Sequence, residues 1–118
     1  MSVRVLILED DPLIALDLQS IVEGEGHEVV DVCPSVAAAR ARLRAERDFA
    51  GLDFALLDVD LLDGKSFEVA SDLAARGVPF AFVSGSIPGD VPESLRKARF
   101  VAKPYREDAI LGALSESV

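Results

Sequence analysis

Positive charge is scarce in this chain: 12 lysines and arginines stand against 21 aspartates and glutamates, for a formal net charge of −9 over 118 residues. A surface so acidic repels nucleic-acid phosphates and anionic lipid headgroups, which argues against direct nucleic-acid binding and membrane-surface attachment. There is one cysteine, Cys33, so no disulfide can close within the chain. That usage fits a reducing compartment. No apolar run approaches the roughly 20 residues that a membrane-spanning helix needs. The N-terminal run is interrupted by Arg4 and reaches Glu9-Asp10-Asp11 at once, unlike the long apolar core of a signal peptide. Internal repeats, low-complexity tracts and linkers are also lacking. The expectation is a cytoplasmic protein with no membrane contact.

Hydrophobic residues make up 50% of the chain and charged residues 28%, the balance of a soluble globular domain with one core. Short apolar runs alternate with longer amphipathic stretches, the pattern of βα units and a mainly parallel sheet. The runs lack strict polar alternation, as strands covered on both faces do. Four of them end on a polar residue. Val3–Leu8 ends in Glu9-Asp10-Asp11, Phe54–Leu57 in Asp58, Phe80–Val83 in Ser84, and Phe100–Ala102 in Lys103-Pro104. In an open α/β sheet, ligands bind outside the carboxyl ends of the strands, so these residues converge on one edge.

Between the runs, Asp11 is placed to N-cap a helix with Pro12 at its first position, and Ile14, Leu18, Ile21 and Val22 line one face of it. Gly24 and Gly26 end that helix. Residues 28–33 read as a second strand, broken by Pro34, and Ser35 caps an Ala/Arg-rich helix to about Glu46. Residues 47–52 read as a loop around Gly51. A loop runs from Asp58 through Asp63-Gly64, followed by a helix from Ser66 to about Arg76 that faces Phe67, Ala70, Leu73 and Ala74 inward and stops at Gly77. The segment 85–92 is full of breakers, so only a short helix near Pro92–Ala98 is expected where the βα rhythm calls for a full one. A last helix runs from Glu107 to about Ser117 on Ile110, Leu111 and Leu114.

The chemistry follows from the residue types. Neighbouring carboxylates at Glu9 and Asp10 raise each other's pKa, and a divalent cation relieves that cost; hard oxygen ligands with room for water suit Mg²⁺. Asp58 is a carboxylate able to act as a nucleophile and form an aspartyl phosphate. Lys103 offers a compact charge to a phosphoryl oxygen, and Ser84 a hydrogen bond to another. Phosphoryl transfer asks mainly for positioning and charge neutralisation, which this set provides. His27, the only histidine, sits in a glycine-bounded loop with no evident partner, so the chain is not expected to carry phosphohistidine. Cys33 reads as core packing. Tyr105 supports either the active loop or a partner surface.

Taken together, Val5–Asp11, Leu56-Leu57-Asp58, Val83-Ser84-Gly85 and Phe100–Pro104 resemble a response-regulator receiver domain over essentially the whole of residues 1–118. The resemblance implies a doubly wound five-stranded parallel sheet of flavodoxin-like order 2-1-3-4-5, with helices on both faces and here a short or irregular fourth helix. It implies a protein of two-component signalling that catalyses only its own phosphorylation and dephosphorylation. Asp58 would be the phospho-acceptor, supplied by a histidine kinase or a histidine phosphotransfer protein. Glu9, Asp10, Asp58 and the main-chain carbonyl of Asp60 would hold Mg²⁺. Ser84 and Lys103 would bind the phosphoryl group, and Phe100 would be the aromatic switch that turns inward. Output would pass to a downstream partner protein, or the domain would drain phosphoryl groups from a kinase.

Two departures stand out. The loop Val59–Gly64 lacks the proline usual after the acceptor, and 85–92 replaces the regular fourth helix, so the dimer mode of that helix is not carried over. The stretch Gly77–Gly85 resembles a subgroup of stand-alone receivers with aromatics on the fourth strand. The side chain of Asp60, two positions past the acceptor, is placed to orient an attacking water and so to modulate dephosphorylation. An alternative is a haloacid-dehalogenase-like phosphohydrolase using Asp58 and Asp60 in an Asp-x-Asp pattern. There the nucleophile opens the domain and the acidic pair comes late, the reverse of the order here. A degenerate receiver that only docks partners is disfavoured by the retained lysine, serine and acidic pair.

Overall fold

The computed structural model describes residues 2–45 and 51–116. The apolar runs form strands β1 (Arg4–Leu8), β2 (Glu28–Cys33) and β3 (Phe54–Leu57), then a two-residue pair β4 (Asp60–Leu61) and β5 (Gly64–Lys65), then β6 (Phe80–Ser84) and β7 (Arg99–Ala102). The helices are α1 (Pro12–Gly24), α2 (Val36–Ala45), α3 (Phe67–Ala75) and α4 (Glu107–Ser115). Every pairing in the main sheet is parallel, in the order β2-β1-β3-β6-β7. Counting only its five strands, that is the expected 2-1-3-4-5 order.

Successive side chains on a strand point to opposite faces, so each central run feeds two cores at once. Leu6, Leu8, Ala55, Leu57 and Phe82 pack with Ala39 and Leu43 of α2 and with Val69, Ala70 and Leu73 of α3. Val5, Ile7, Phe54, Leu56, Ala81 and Val83 pack with Leu18, Ile21 and Val22 of α1 and with Ile110, Ala113 and Leu114 of α4. This double coverage explains why β1, β3 and β6 read as near-continuous apolar runs.

Several local expectations change. On α3 the third inward residue is Val69, while Ala74 is exposed; on α4 Ala113 is buried and Leu111 only half so. On α1 Ala15 joins the buried face and Ile14 is half-buried. The segment after Asp58 is not a plain loop, because Asp60–Leu61 and Gly64–Lys65 pair antiparallel around the Leu62-Asp63 turn, with Gly64 at φ +137°. The fourth helix is short and irregular, as expected: a 3₁₀ turn at Glu93–Leu95, preceded by another at Pro88–Asp90. His27 has a partner after all: its Nδ1 accepts from the Val3 N–H at 3.0 Å, tying the loop to the start of β1. Glu46 and residues 47–50, expected to end the second helix and begin its loop, lie outside the described residues, as does Ser117.

The N-terminus of α2 is capped twice. Ser35 Oγ accepts from the Ala38 N–H at 3.0 Å, as expected. Asp63, 27 residues away, accepts from the Val36 N–H at 2.7 Å and the Ala37 N–H at 3.0 Å. These backbone bonds hold its carboxyl below the ordinary value. A depressed acid contributes stability that is present above its unfolded pKa of about 3.9 and is lost as pH falls through the lower folded value. Asp63→Ala is therefore expected to lower the urea midpoint at neutral pH, with the gap to wild type closing as pH drops below about 4. A gap that persists in acid would contradict this.

Candidate functional site

The carboxyl edge of the sheet gathers residues from four strands. Glu9 follows β1 and Asp58 follows β3; both are buried, with 2% and 7% exposure. The ladder extends into them, since the Glu9 N–H donates to the Cys33 carbonyl at 3.0 Å and the Asp58 N–H to the Leu8 carbonyl at 2.8 Å. Their positions are thus set by the sheet rather than by loops. Carboxylate oxygens of Glu9, Asp10 and Asp58 all lie within 4.8 Å of one another.

Lys103, just past β7, reaches into this cluster. Its Nζ donates to Glu9 Oε1 at 2.6 Å and to Asp58 Oδ2 at 3.2 Å. The Lys103 N–H donates to the Ser84 carbonyl at 2.9 Å, continuing the β6–β7 pairing, and the Lys103–Pro104 peptide is cis. The electrostatics are uneven. Burial pushes the Glu9 carboxyl up despite the Lys103 bond and the Asp11 N–H, and the Asp58 charge adds to the rise. Burial pulls Lys103 down, but the Glu9 hydrogen bond and the charges of Asp58 and Glu9 outweigh it and leave its pKa raised. The balance differs at the two ends of the pair: for Glu9 burial outweighs the Lys103 bond, whereas for Lys103 its two carboxylate partners outweigh burial. Such a donor set fits a hard divalent cation.

Ser84 is buried at the end of β6, where its Oγ accepts from the Ser86 N–H at 3.1 Å. Asp11 stands apart from the cluster as the N-cap of α1, accepting from the Leu13 N–H at 2.9 Å and the Ile14 N–H at 3.4 Å. Phe100 is half-buried within β7, its ring 6.3 Å from that of Phe82. The Tyr105 hydroxyl donates to Asp17 Oδ2 of α1 at 2.6 Å, and burial followed by that bond raises its pKa. Burial raises the Cys33 thiol to about 11, which suits a core residue rather than a reactive thiolate.

The Asp60 N–H lies 3.4 Å from Asp58 Oδ1, so its main chain adjoins that carboxylate. Its carboxylate is engaged: Oδ1 pairs with Lys65 Nζ, and Oδ2 accepts from the Ser86 hydroxyl at 2.7 Å. Those two bonds, the Lys65 one first, hold the Asp60 carboxyl below the usual range. Lys65 and Ser86 were missed in the sequence. Asp63-Gly64 was the available turn signal, although the two-residue loop that sets Lys65 opposite Asp60 is Leu62-Asp63, with Gly64 already in β5.

Among the described residues no helix is long and apolar enough to cross a membrane. No protein-family model matches the chain. The phyllosphere-induced regulator PhyR of Methylorubrum extorquens is 33% identical over 124 residues, an alignment spanning 100% of this chain and 44% of that protein. The solution structure of SdrG from Sphingomonas melonis Fr1 is 36% identical with a TM-score of 0.81, covering 97% of this chain and 94% of SdrG. The BeF3-activated conformation of SdrG gives a TM-score of 0.76 at 38% identity, over 98% and 97%. The crystal structure of the anti-anti-sigma factor PhyR from Bartonella quintana gives 0.79 at 25% identity, over 99% of this chain and 47% of that one. The chain thus spans less than half the length of these PhyR proteins and nearly all of SdrG. The haloacid-dehalogenase-like alternative finds no support: the acidic pair comes first, after β1, Asp58 comes second, after β3, and the relatives are named as regulators. With the fold, the strand-end cluster and a relative such as SdrG matched over almost its full length, this chain belongs to the response-regulator receiver domains.

Proposed function

We propose that Asp58 accepts a phosphoryl group in a Mg²⁺-dependent reaction and that the chain works as a receiver over residues 1–118. The observation that carries this reading is the cluster of buried Glu9 and Asp58 with half-buried Asp10, and Lys103 as its ammonium partner. An Asp58 oxygen attacks phosphorus, the bond from phosphorus to the donor breaks, and the donor leaves as a free imidazole or, with acetyl phosphate, as acetate. Lys103, 3.2 Å from Asp58, neutralises an oxygen of the transferring group. Ser84 keeps its hydroxyl proton to donate to a second one, since its bond with the Ser86 N–H uses only the oxygen as acceptor. Glu9, Asp10, Asp58 and the Asp60 carbonyl would hold Mg²⁺, which when bound offsets the carboxylate charge and draws charge from the phosphoryl oxygens.

The donor in this reading is a histidine kinase or a histidine phosphotransfer protein. Leu13 and Leu16 at the start of α1, Leu62 in the hairpin and Ile87 after β6 are all large and exposed, at 60–78%. They lie on segments leaving the edge that carries Asp58, and they offer a protein donor an apolar rim. Phe100 acts as the switch residue, and a cavity of about 280 Å³ beside it, lined by Phe82, Val91, Leu95 and Ala98, gives the ring space to move. Asp60 modulates hydrolysis of the aspartyl phosphate. Output passes to a downstream protein, as the name anti-anti-sigma factor implies for a PhyR relative, or the chain drains phosphoryl groups from a kinase.

The test is incubation with Mg²⁺ and acetyl phosphate, followed by intact mass. Wild type is expected to gain one phosphate, Asp58→Asn none, and chelation of Mg²⁺ to abolish the gain. A wild-type chain that stays unmodified with acetyl phosphate and with a phosphorylated histidine donor contradicts the proposal.

A further inference from the structure

The hairpin that follows Asp58 ends in a contact that receiver chemistry does not require. Asp60 and Lys65 are cross-strand partners in β4–β5, and their side chains form an ion pair. The other Asp60 oxygen takes the Ser86 hydroxyl from the loop after β6 at 2.7 Å. The same Ser86 donates its N–H to Ser84 Oγ at 3.1 Å, and the Asp60 N–H lies 3.4 Å from Asp58 Oδ1. A short chain of polar contacts therefore runs from Asp58 through Asp60 and Ser86 to Ser84. Within it the Asp60 carboxylate is turned outward, with 54% of its side chain exposed, and it is gripped by Lys65 of β5 and Ser86 of the loop after β6.

We infer that Lys65 and Ser86 are positioning residues that hold the Asp60 carboxylate away from the phosphoryl group and so prolong the phosphorylated state. This rests on Asp58 being the acceptor. Hydrolysis forms a bond from a water oxygen to phosphorus and breaks the bond from phosphorus to the Asp58 oxygen. Asp58 leaves as a carboxylate, inorganic phosphate departs, and one water proton must go to a nearby base. Asp60 is the carboxylate whose backbone already adjoins Asp58, and rotation about its side-chain bonds brings it to that water. In the latched arrangement one of its oxygens faces an ammonium and the other a hydroxyl, and both partners would have to be released first. The release is not costly: Lys65 and Asp60 are both more than half exposed, and such pairs are weak. The latch therefore tunes a lifetime rather than blocking a reaction, and it leaves the fold almost untouched when cut.

The experiment phosphorylates wild type, Lys65→Met, Lys65→Arg, Asp60→Asn and the Lys65→Met/Asp60→Asn double variant with acetyl phosphate and Mg²⁺. The donor is then removed and the decay of the phosphorylated mass is followed. Lys65→Met is expected to shorten the half-life by roughly two- to fivefold, the release of one exposed ion pair expressed as a rate. Lys65→Arg keeps the wild-type half-life. In the Asp60→Asn background the Lys65 substitution has no further effect. Equal shortening with and without Asp60 overturns the inference and assigns Lys65 directly to the phosphoryl group; an unchanged half-life in Lys65→Met overturns it as well. A wild type that gains no phosphate mass fails at the earlier step and takes the acceptor reading down with it, so the two failures are told apart.

Discussion

Lys103→Ala is expected to destabilise the metal-free protein by about 3 kcal/mol at neutral pH, and Mg²⁺ is expected to return most of the loss. The lysine side chain is only 17% exposed and is bonded to two carboxylates that are 1% and 8% exposed. Removing one partner of a buried ion pair costs roughly 3–5 kcal/mol, because the remaining charge is left without compensation. Half-buried Asp10 admits some solvent to the cluster, which places the loss at the lower end of that range. For a chain of this length that is a fall in Tm of roughly 10 °C. The pH dependence has two edges. Because the folded Lys103 pKa is raised, its contribution is complete below the unfolded lysine value of about 10.4 and is lost as pH climbs through the higher folded value. At low pH the loss shrinks from the other side, since Glu9, already raised by burial, takes up a proton and no longer needs a cation. Divalent metal substitutes for the missing charge: at about a hundred times its Kd, binding to the native state alone adds about 2.7 kcal/mol. Urea unfolding of both proteins across pH, with and without Mg²⁺, measures all of this. A deficit insensitive to both would mean that Lys103 contributes packing alone.

What the sequence made legible follows from where the information is stored. β1, β3 and β6 are buried on both faces along nearly all their length, which made them apolar runs, and the polar residue closing each run marked the sheet edge. Glu9, Asp58, Ser84 and Lys103 could be placed on one edge for that reason, and Asp11 as a cap because its partners are only two and three residues away. Contacts made across the fold were hidden. Asp63 caps a helix that begins 27 residues earlier, and His27 accepts from Val3, 24 positions before it and just ahead of β1. Neither leaves a local pattern. The choice of Ala74 over Val69 as an inward residue failed because alanine tolerates either face of a helix, whereas burying valine yields more. The hairpin at 60–65 escaped because its strands are two residues long, too short for any periodicity to register.

Phe82→Ala is expected to cost about 3–5 kcal/mol, a large share of the 5–15 kcal/mol that holds a typical domain together. Phe82 is 1% exposed on the middle of β6, and it meets three other rings. Phe67 and Phe80 lie edge-to-face at 6.1 and 5.5 Å, and Phe100 is tilted at 6.3 Å. Truncation removes the shared member of all three contacts and leaves a hole that the parallel backbone on either side cannot close. The same ring forms one wall of the cavity beside Phe100, so in the proposed switch its size would govern how far Phe100 travels. Phe82→Leu separates the two roles. It keeps most of the apolar volume and costs roughly 1.5 kcal/mol, yet the volume it does remove would widen the space proposed for the Phe100 ring. In that variant the aromatic NMR signals of Phe100 are expected to shift before any phosphorylation, while the urea midpoint falls by well under half of the alanine loss. Phe100→Ala, which removes only a half-buried ring, is expected to cost less than Phe82→Ala. Equal losses for Phe82→Leu and Phe82→Ala would show that edge-to-face geometry, rather than filled volume, holds this face of the sheet.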